Sequence, residues 1–284
     1  MRILLFACLM AMLCPVVKGQ PTLQVDDQGS KSKAKQLPID DVVEDHTILE
    51  KRLLPYPNQR ESDILWKKRV WREIDTREKM NLVFRNPKMS LVSILNDAVL
   101  SGELQAYNAE TDDFSIPLTK EELDQQLYEI DTVEVLNPIT YDPEFQEIKN
   151  DFDPADVIRF RMKEVWYFDS NTSTMKVRII GIAPLKDVYD DGGNYRYTLP
   201  MYWINYAQAR TVLAKQAIQL AENDKKVMSW EDILEMRFFS SYITKESNTI
   251  DERLQDQYSG LNLLHQSEKI KNKIQNKEQD MWSY

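Results

Sequence analysis

The stretch from Val157 to Ala183 constrains this chain more than any other. Ile158, Phe160, Met162, Trp166 and Phe168 alternate with Arg159, Arg161, Lys163 and Tyr167, and Met175, Val177 and Ile179 alternate with Lys176 and Arg178. A period of two in β-branched and aromatic residues is the pattern of half-buried strands. It predicts a hairpin of strands 157–168 and 174–183. With Phe168 facing Ser173, the apolar side chains share one face, and Arg159, Arg161, Lys163, Lys176 and Arg178 share the other. Like charges opposed across a hairpin cost stability. Acidic groups, from this chain or from a partner, are therefore expected over the basic face.

Around the hairpin other periods take over. Ser62 as a cap, Asp63 in a first turn, and Leu65, Trp66, Val70, Trp71 and Ile74 at helical spacing predict a helix from about Ser62. A second helix is expected over Leu91–Leu100, capped by Ser90 and stopped by Ser101-Gly102. Thr119-Lys120-Glu121-Glu122 is a capping box opening a third, and Thr132–Leu136 suits a short strand. A further strand is expected over Tyr195–Ile204, with Tyr197, Leu199, Met201 and Trp203. Helices follow over about 206–222 (Val212, Leu213, Ile218, Leu220), from Ser229 (Trp230, Ile233, Leu234, Phe238), and over the charged stretch of about Leu261–Trp282. There is no internal repeat. The fold class this predicts is α+β, a central antiparallel hairpin-rich sheet flanked by N- and C-terminal helices.

The N-terminus reads as an export signal over residues 1–19. Met1-Arg2 precede the apolar run Ile3–Leu13, and Val17 and Gly19 suit the positions before a cleavage site between Gly19 and Gln20. The run is shorter than the about 20 residues a bilayer span takes. A lipoprotein signal is the competing reading. Leu5-Phe6-Ala7-Cys8 would leave almost no apolar segment before it, and Ala11-Met12-Leu13-Cys14 has a bulky Leu where a small residue is wanted. Cleavage after Gly19 removes both cysteines of the chain, Cys8 and Cys14, so no disulfide would hold the exported part. Asn171-Thr172-Ser173 is formally a glycosylation sequon; an exported part without cysteines hints at a bacterial periplasm, where the stretch would be a polar turn. Residues 20–60 read as an extended, linker-like arm. Gln28–Lys33 is polar and of low complexity, and Pro38, Pro55 and Pro57 interrupt periodicity. Its Leu49, Leu53, Leu54 and Tyr56 leave two readings open: a disordered tail, or an arm that orders on a neighbouring subunit. Residues 61–284 form the remaining domain.

Composition excludes several function classes. The 284 residues hold 36 Lys and Arg against 46 Asp and Glu, a net charge of −10, and nucleic acid or anionic lipid calls for a basic footprint instead. Only 2 His and 2 Cys are available, too few for ordinary zinc, haem or cluster ligation. His46 lies in the arm and His265 in the last helix, so neither serves a catalytic triad. Gly192-Gly193, within Asp190–Asn194, is a turn signal. As a calcium loop from Asp187 it fails, with Tyr189 third and Thr198 twelfth where carboxylates belong. Paired carboxylates such as Asp151 and Asp153 arise by chance among so many acids. The tryptophans Trp66, Trp71, Trp166, Trp203, Trp230 and Trp282 suit core or interface positions better than a sugar cleft. No catalytic, cofactor-binding or metal residues are therefore assigned. Trp282 and Tyr284, at the chain end, are candidates for inter-subunit contact, together with the basic hairpin face of Arg159, Arg161, Lys163, Lys176 and Arg178.

Five stretches carry a family resemblance. They are Trp66-Lys-Lys-Arg-Val-Trp-Arg-Glu-Ile-Asp-Thr-Arg-Glu-Lys-Met-Asn81; Val165-Trp-Tyr-Phe-Asp169 with Met175-Lys-Val-Arg-Ile-Ile-Gly-Ile-Ala-Pro184; Pro200-Met-Tyr-Trp203 leading to Ala209-Arg210; Ser229-Trp-Glu-Asp-Ile233; and Arg237-Phe-Phe-Ser-Ser-Tyr-Ile-Thr-Lys-Glu-Ser-Asn248. Together they resemble the GldN/PorN family of gliding-motility and type IX secretion components, over about Ser62–Trp282 and without departure in these blocks. The resemblance implies a non-enzymatic periplasmic scaffold, peripherally associated with the outer membrane through a lipoprotein of the GldK/PorK kind. It implies self-association within a ring, contact with a GldM/PorM-like inner-membrane protein, and no direct membrane insertion. It brings no cofactor. Two other classes remain: a periplasmic glycan-active enzyme using two carboxylates, and a chaperone for exported clients.

Overall fold

The computed structural model describes residues 53–282 apart from 88, 128, 137–142, 151, 191 and 221–222. Its first element is a correction. Ile64–Asp75, expected as a helix, is strand β1, and Ser62 sits in a short 3-10 turn before it. Trp66, Val70 and Ile74 fit both periods, but they also alternate with Lys67, Arg69, Trp71 and Glu73. A partner strand on each edge decides in favour of the extended form, because β pairing overrides a weak local preference.

Helix α1 (Leu91–Ser101) has the expected ends. The Ser90 hydroxyl accepts the Ser93 amide, and Gly102 closes the helix in the left-handed region at φ +83°. Strand β2 (Ala106–Tyr107) follows. Helix α2 (Lys120–Leu127) opens on the predicted box: the Thr119 hydroxyl accepts the Glu122 amide, and the Glu122 carboxylate accepts the Thr119 amide. Strands β3 (Glu129–Leu136) and β4 (Pro143–Asn150) form an antiparallel pair.

The hairpin is β5 (Arg159–Asp169) and β6 (Thr174–Tyr189). Phe168 faces Met175, two residues from the expected partner, which leaves the two faces sorted as predicted. A bulge on β6 between Ile179 and Gly181 bends the long strand. The single strand expected over Tyr195–Ile204 is two, β7 (Tyr195–Pro200) and β8 (Trp203–Asn205). Pro200 lacks an amide, and the break at Met201-Tyr202 turns the Tyr202 side chain into the core, where its hydroxyl donates to Asn96. The helix expected over 206–222 is also two elements, α3 (Tyr206–Leu213) and strand β9 (Ala217–Leu220), which pairs with β10 (Asn223–Ser229). Ile218 keeps its place in the core without the helix. Helix α4 (Trp230–Glu235) starts at Ser229, whose side chain and that of Asp232 cap each other's backbone amides. Strand β11 (Tyr242–Glu246), helix α5 (Leu254–Gln257) and helix α6 (Gly260–Trp282) complete the chain.

The fold is α+β. The main sheet runs β11-β1-β5-β6-β8-β2, with β7 also on β6, and its pairings are antiparallel. Its inner face is mainly apolar, with Glu164 and Arg72 buried in it. Phe160, Met162, Ile182 and Ile204 meet Leu95, Leu213, Trp230 and Leu234 from the helices, while Val70 and Ile243 meet Ile274 of α6. Each such buried side chain contributes about 1.5–3 kcal/mol. Helix α6 also closes the free edge of β11, where the Ile243 amide donates to the Ser267 hydroxyl at 2.7 Å. Gly181 is required by close approach, since a Cβ there would stand 2.6 Å from the Phe114 ring.

Candidate interaction surface

The outer face of the sheet carries the polar side chains that the alternation puts there. The acidic cover it needs comes, in large part, from this chain. Arg159 meets Asp187 of β6 at 2.5 Å and also donates to the Thr198 hydroxyl. Arg161 reaches Glu73 of β1 at 2.7 Å, and Glu73 also accepts from Tyr242. Lys163 meets Asp112 at 3.2 Å, and Asp112 also accepts from the Trp71 indole. Lys176 meets Asp169 at 2.5 Å. Burial lowers the affinity of Lys163 for its proton, and the Asp112 charge opposes that shift. The loop 107–117 that brings Asp112 also brings Phe114, packed edge-on against Tyr107 and Trp203. Beside it lies a polar cleft of about 490 Å³ between Trp71, Trp203, Lys245 and Asp251.

Asp169 gives a prediction. The Lys176 ammonium, then the Asn171 amide and the Thr172 hydroxyl, hold its carboxyl down to about 2 from the usual 3.8. A depressed folded-state value stabilises the fold above the unfolded value and loses that effect as pH falls through the folded one. In urea melts the advantage of wild type over Asp169→Asn should be full above about pH 4 and gone below about pH 2. A constant difference across that window would refute the assignment.

The described end of the arm is pinned at Tyr56. Its ring stacks between the guanidiniums of Arg178 (4.5 Å) and Arg210 (4.0 Å), and its hydroxyl donates to Glu235. Burial first, then the Glu235 hydrogen bond, raises the Tyr56 pKa. Arg210 is itself paired with Glu231 at 2.8 Å. The next outer stretch of sheet is left open by the described residues. A groove of about 400 Å³ there has Ile64, Val165 and Ile180 along its floor and Lys67, Arg69 and Arg178 around it. Lys67 and Arg69 were missed as surface cations because the helix reading scattered them; alternation from Trp66 would have aligned them.

The remaining expected residues fall in varied places. Trp282 ends α6 and is 67% exposed. Tyr284, Gly19 and Gln20 lie outside the described residues, as do His46 and Asp151. His265 is exposed on α6. Asp153 caps a 3-10 turn by accepting the Ala155 amide. Asp190 accepts the amides of Gly192 and Asn194, which makes that stretch the expected turn. Among the described residues no three His, Cys, Asp or Glu side chains are gathered as a metal site, and no helix is long and apolar enough to cross a membrane.

Fold and surface together define an α+β protein whose best-formed polar clusters are ion pairs tying strands and loops to one sheet. The family model of gliding motility associated protein GldN matches residues 59–283, and the chain belongs to that family. Comparison with the curated proteins found no match. The matched span starts just before β1 and ends with α6, so the whole sheet and its helices are the family's domain. The chain is thus a gliding motility component.

Proposed function

We propose that this protein is a non-enzymatic periplasmic scaffold of the type IX secretion and gliding machinery. In this reading the signal over residues 1–19 exports it. It then assembles with an outer-membrane lipoprotein of the GldK/PorK kind into a ring and contacts a GldM/PorM-like periplasmic region. It is held at the outer membrane through the lipoprotein. The observation that carries the reading is the family match over 59–283. The paired state of Arg159, Arg161, Lys163 and Lys176 fits a rigid building block. It also changes how those residues are best tested. Reversing Arg159 and Arg161 to Glu breaks internal pairs with Asp187 and Glu73, so a loss of assembly would report on the fold first. Trp282, exposed at the end of α6, is the cleaner contact to probe.

Fractionation tests the proposal. The protein should co-purify from outer membranes with the lipoprotein in a fixed ratio, and become soluble in a strain lacking that lipoprotein. Membrane binding by the purified protein alone would overturn it, as would turnover of a glycan lost on a single Asp or Glu replacement.

A further inference from the structure

The cations of the sheet's outer face change state within one residue pair. At Trp71 and Lys163, which face each other across β1 and β5, and onward to Arg159, each hairpin cation meets a carboxylate of this chain. The next outer pair is Arg69 and Val165, and here the pattern is interrupted, to resume only at Lys176, which meets Asp169 at the far end of the hairpin. The side chains of Lys67 and Arg69 have no ion pair or hydrogen bond among the described residues, and Arg178 stacks on Tyr56 and Tyr167 instead of meeting an acid. These three cations line the groove of about 400 Å³ whose floor is Ile64, Val165 and Ile180. Among the described residues no carboxylate lines it, in a chain whose acids outnumber its bases by 46 to 36.

Cations without ion pairs beside a half-buried apolar floor, as the described residues leave them, select one chemistry. An extended segment laid on this face sends alternate side chains down to the floor and up to the rim. Aliphatic residues fit the first position and carboxylates the second, and the cations would speed encounter as well as fix register. We propose that this groove docks an extended acidic segment of a partner protein, with aliphatic side chains on Val165, Ile180 and Ile64 and carboxylates on Lys67, Arg69 and Arg178. The assignment stands on the groove alone and does not require the assembly reading above.

The probe is a fluorescein-labelled octapeptide alternating Glu and Val, titrated with the purified full chain by fluorescence anisotropy. Saturable binding is expected, weakened about tenfold or more by Lys67→Glu with Arg69→Glu, and weakened by salt as charge contacts are. Lys269→Glu with Lys273→Glu, on the exposed side of α6, should leave it unchanged, and thermal melts should show both variants folded. Absent binding, equal binding by the groove variant, or equal binding of a Lys and Val octapeptide would overturn the proposal. Two further results would replace the partner with another occupant and so also overturn it. One is loss of self-association in the groove variant, which assigns a second copy. The other is peptide binding seen only after residues 20–52 are removed, which assigns the chain's own segment.

Discussion

Replacing Trp230 by Ala should lower the stability of the fold by about 3–5 kcal/mol, the usual loss for a large aromatic taken from a core. Trp230 is fully buried, and its ring stands edge-on to Phe84 at 5.1 Å. It is also the first residue of α4, so it ties the capped start of that helix to the sheet's inner face. Among the described residues its indole N–H has no hydrogen-bond partner. Trp230→Phe should therefore cost much less, because it trims the ring while removing a buried, unsatisfied donor. Urea unfolding of the two variants reads both effects. Equal losses for Phe and Ala would show that ring volume is not what the site supplies.

Arg237→Met should cost a similar amount, about 3–5 kcal/mol, through charge. Its guanidinium meets Glu164 at 2.9 Å, and Glu164 is completely buried on the inner face of β5. The Trp166 indole also donates to Glu164, but among the described residues only Arg237 brings a formal charge to within ion-pair distance of it. Methionine keeps an aliphatic side chain but gives up the guanidinium that stands over the rings of Trp166 (5.6 Å) and Phe239 (5.4 Å), and it leaves the carboxylate without that counter-ion. Adding Glu164→Gln removes that stranded charge, so the double variant should be more stable than the sum of the singles by about 1–3 kcal/mol. Costs that add to within about 0.5 kcal/mol would mean the two residues act independently.

The hairpin was legible because its alternation is long and both strands carry it. The caps at Ser90, Thr119 and Ser229 were legible because they rest on short-range hydrogen bonds that local sequence specifies. One misread segment was settled by distant partners, another by an ambiguous apolar pattern. In β1, Trp66, Val70 and Ile74 are compatible with either period, and the choice is made by β5 and β11, far along the chain. The helix over 206–222 failed because Ile218 and Leu220 extend an apolar pattern that is equally good in β9. The groove was not legible at all. It depends on which cations keep a carboxylate, and Asp112, Asp187 and Glu73 reach the face from three separate segments.

The pairing of β1 with β11, where Val70 stands opposite Glu246, bears on how the molecule is made. A polypeptide delivered N-terminus first exposes β1 long before its outer neighbour exists. Only β5 can join it early, so one side of a strand that carries Trp66, Val70 and Trp71 waits, unzipped, until β11 arrives from Tyr242 onward. Such late closure makes folding slow and leaves the nascent molecule sticky. A truncation anywhere before Tyr242 would keep it in that state for good.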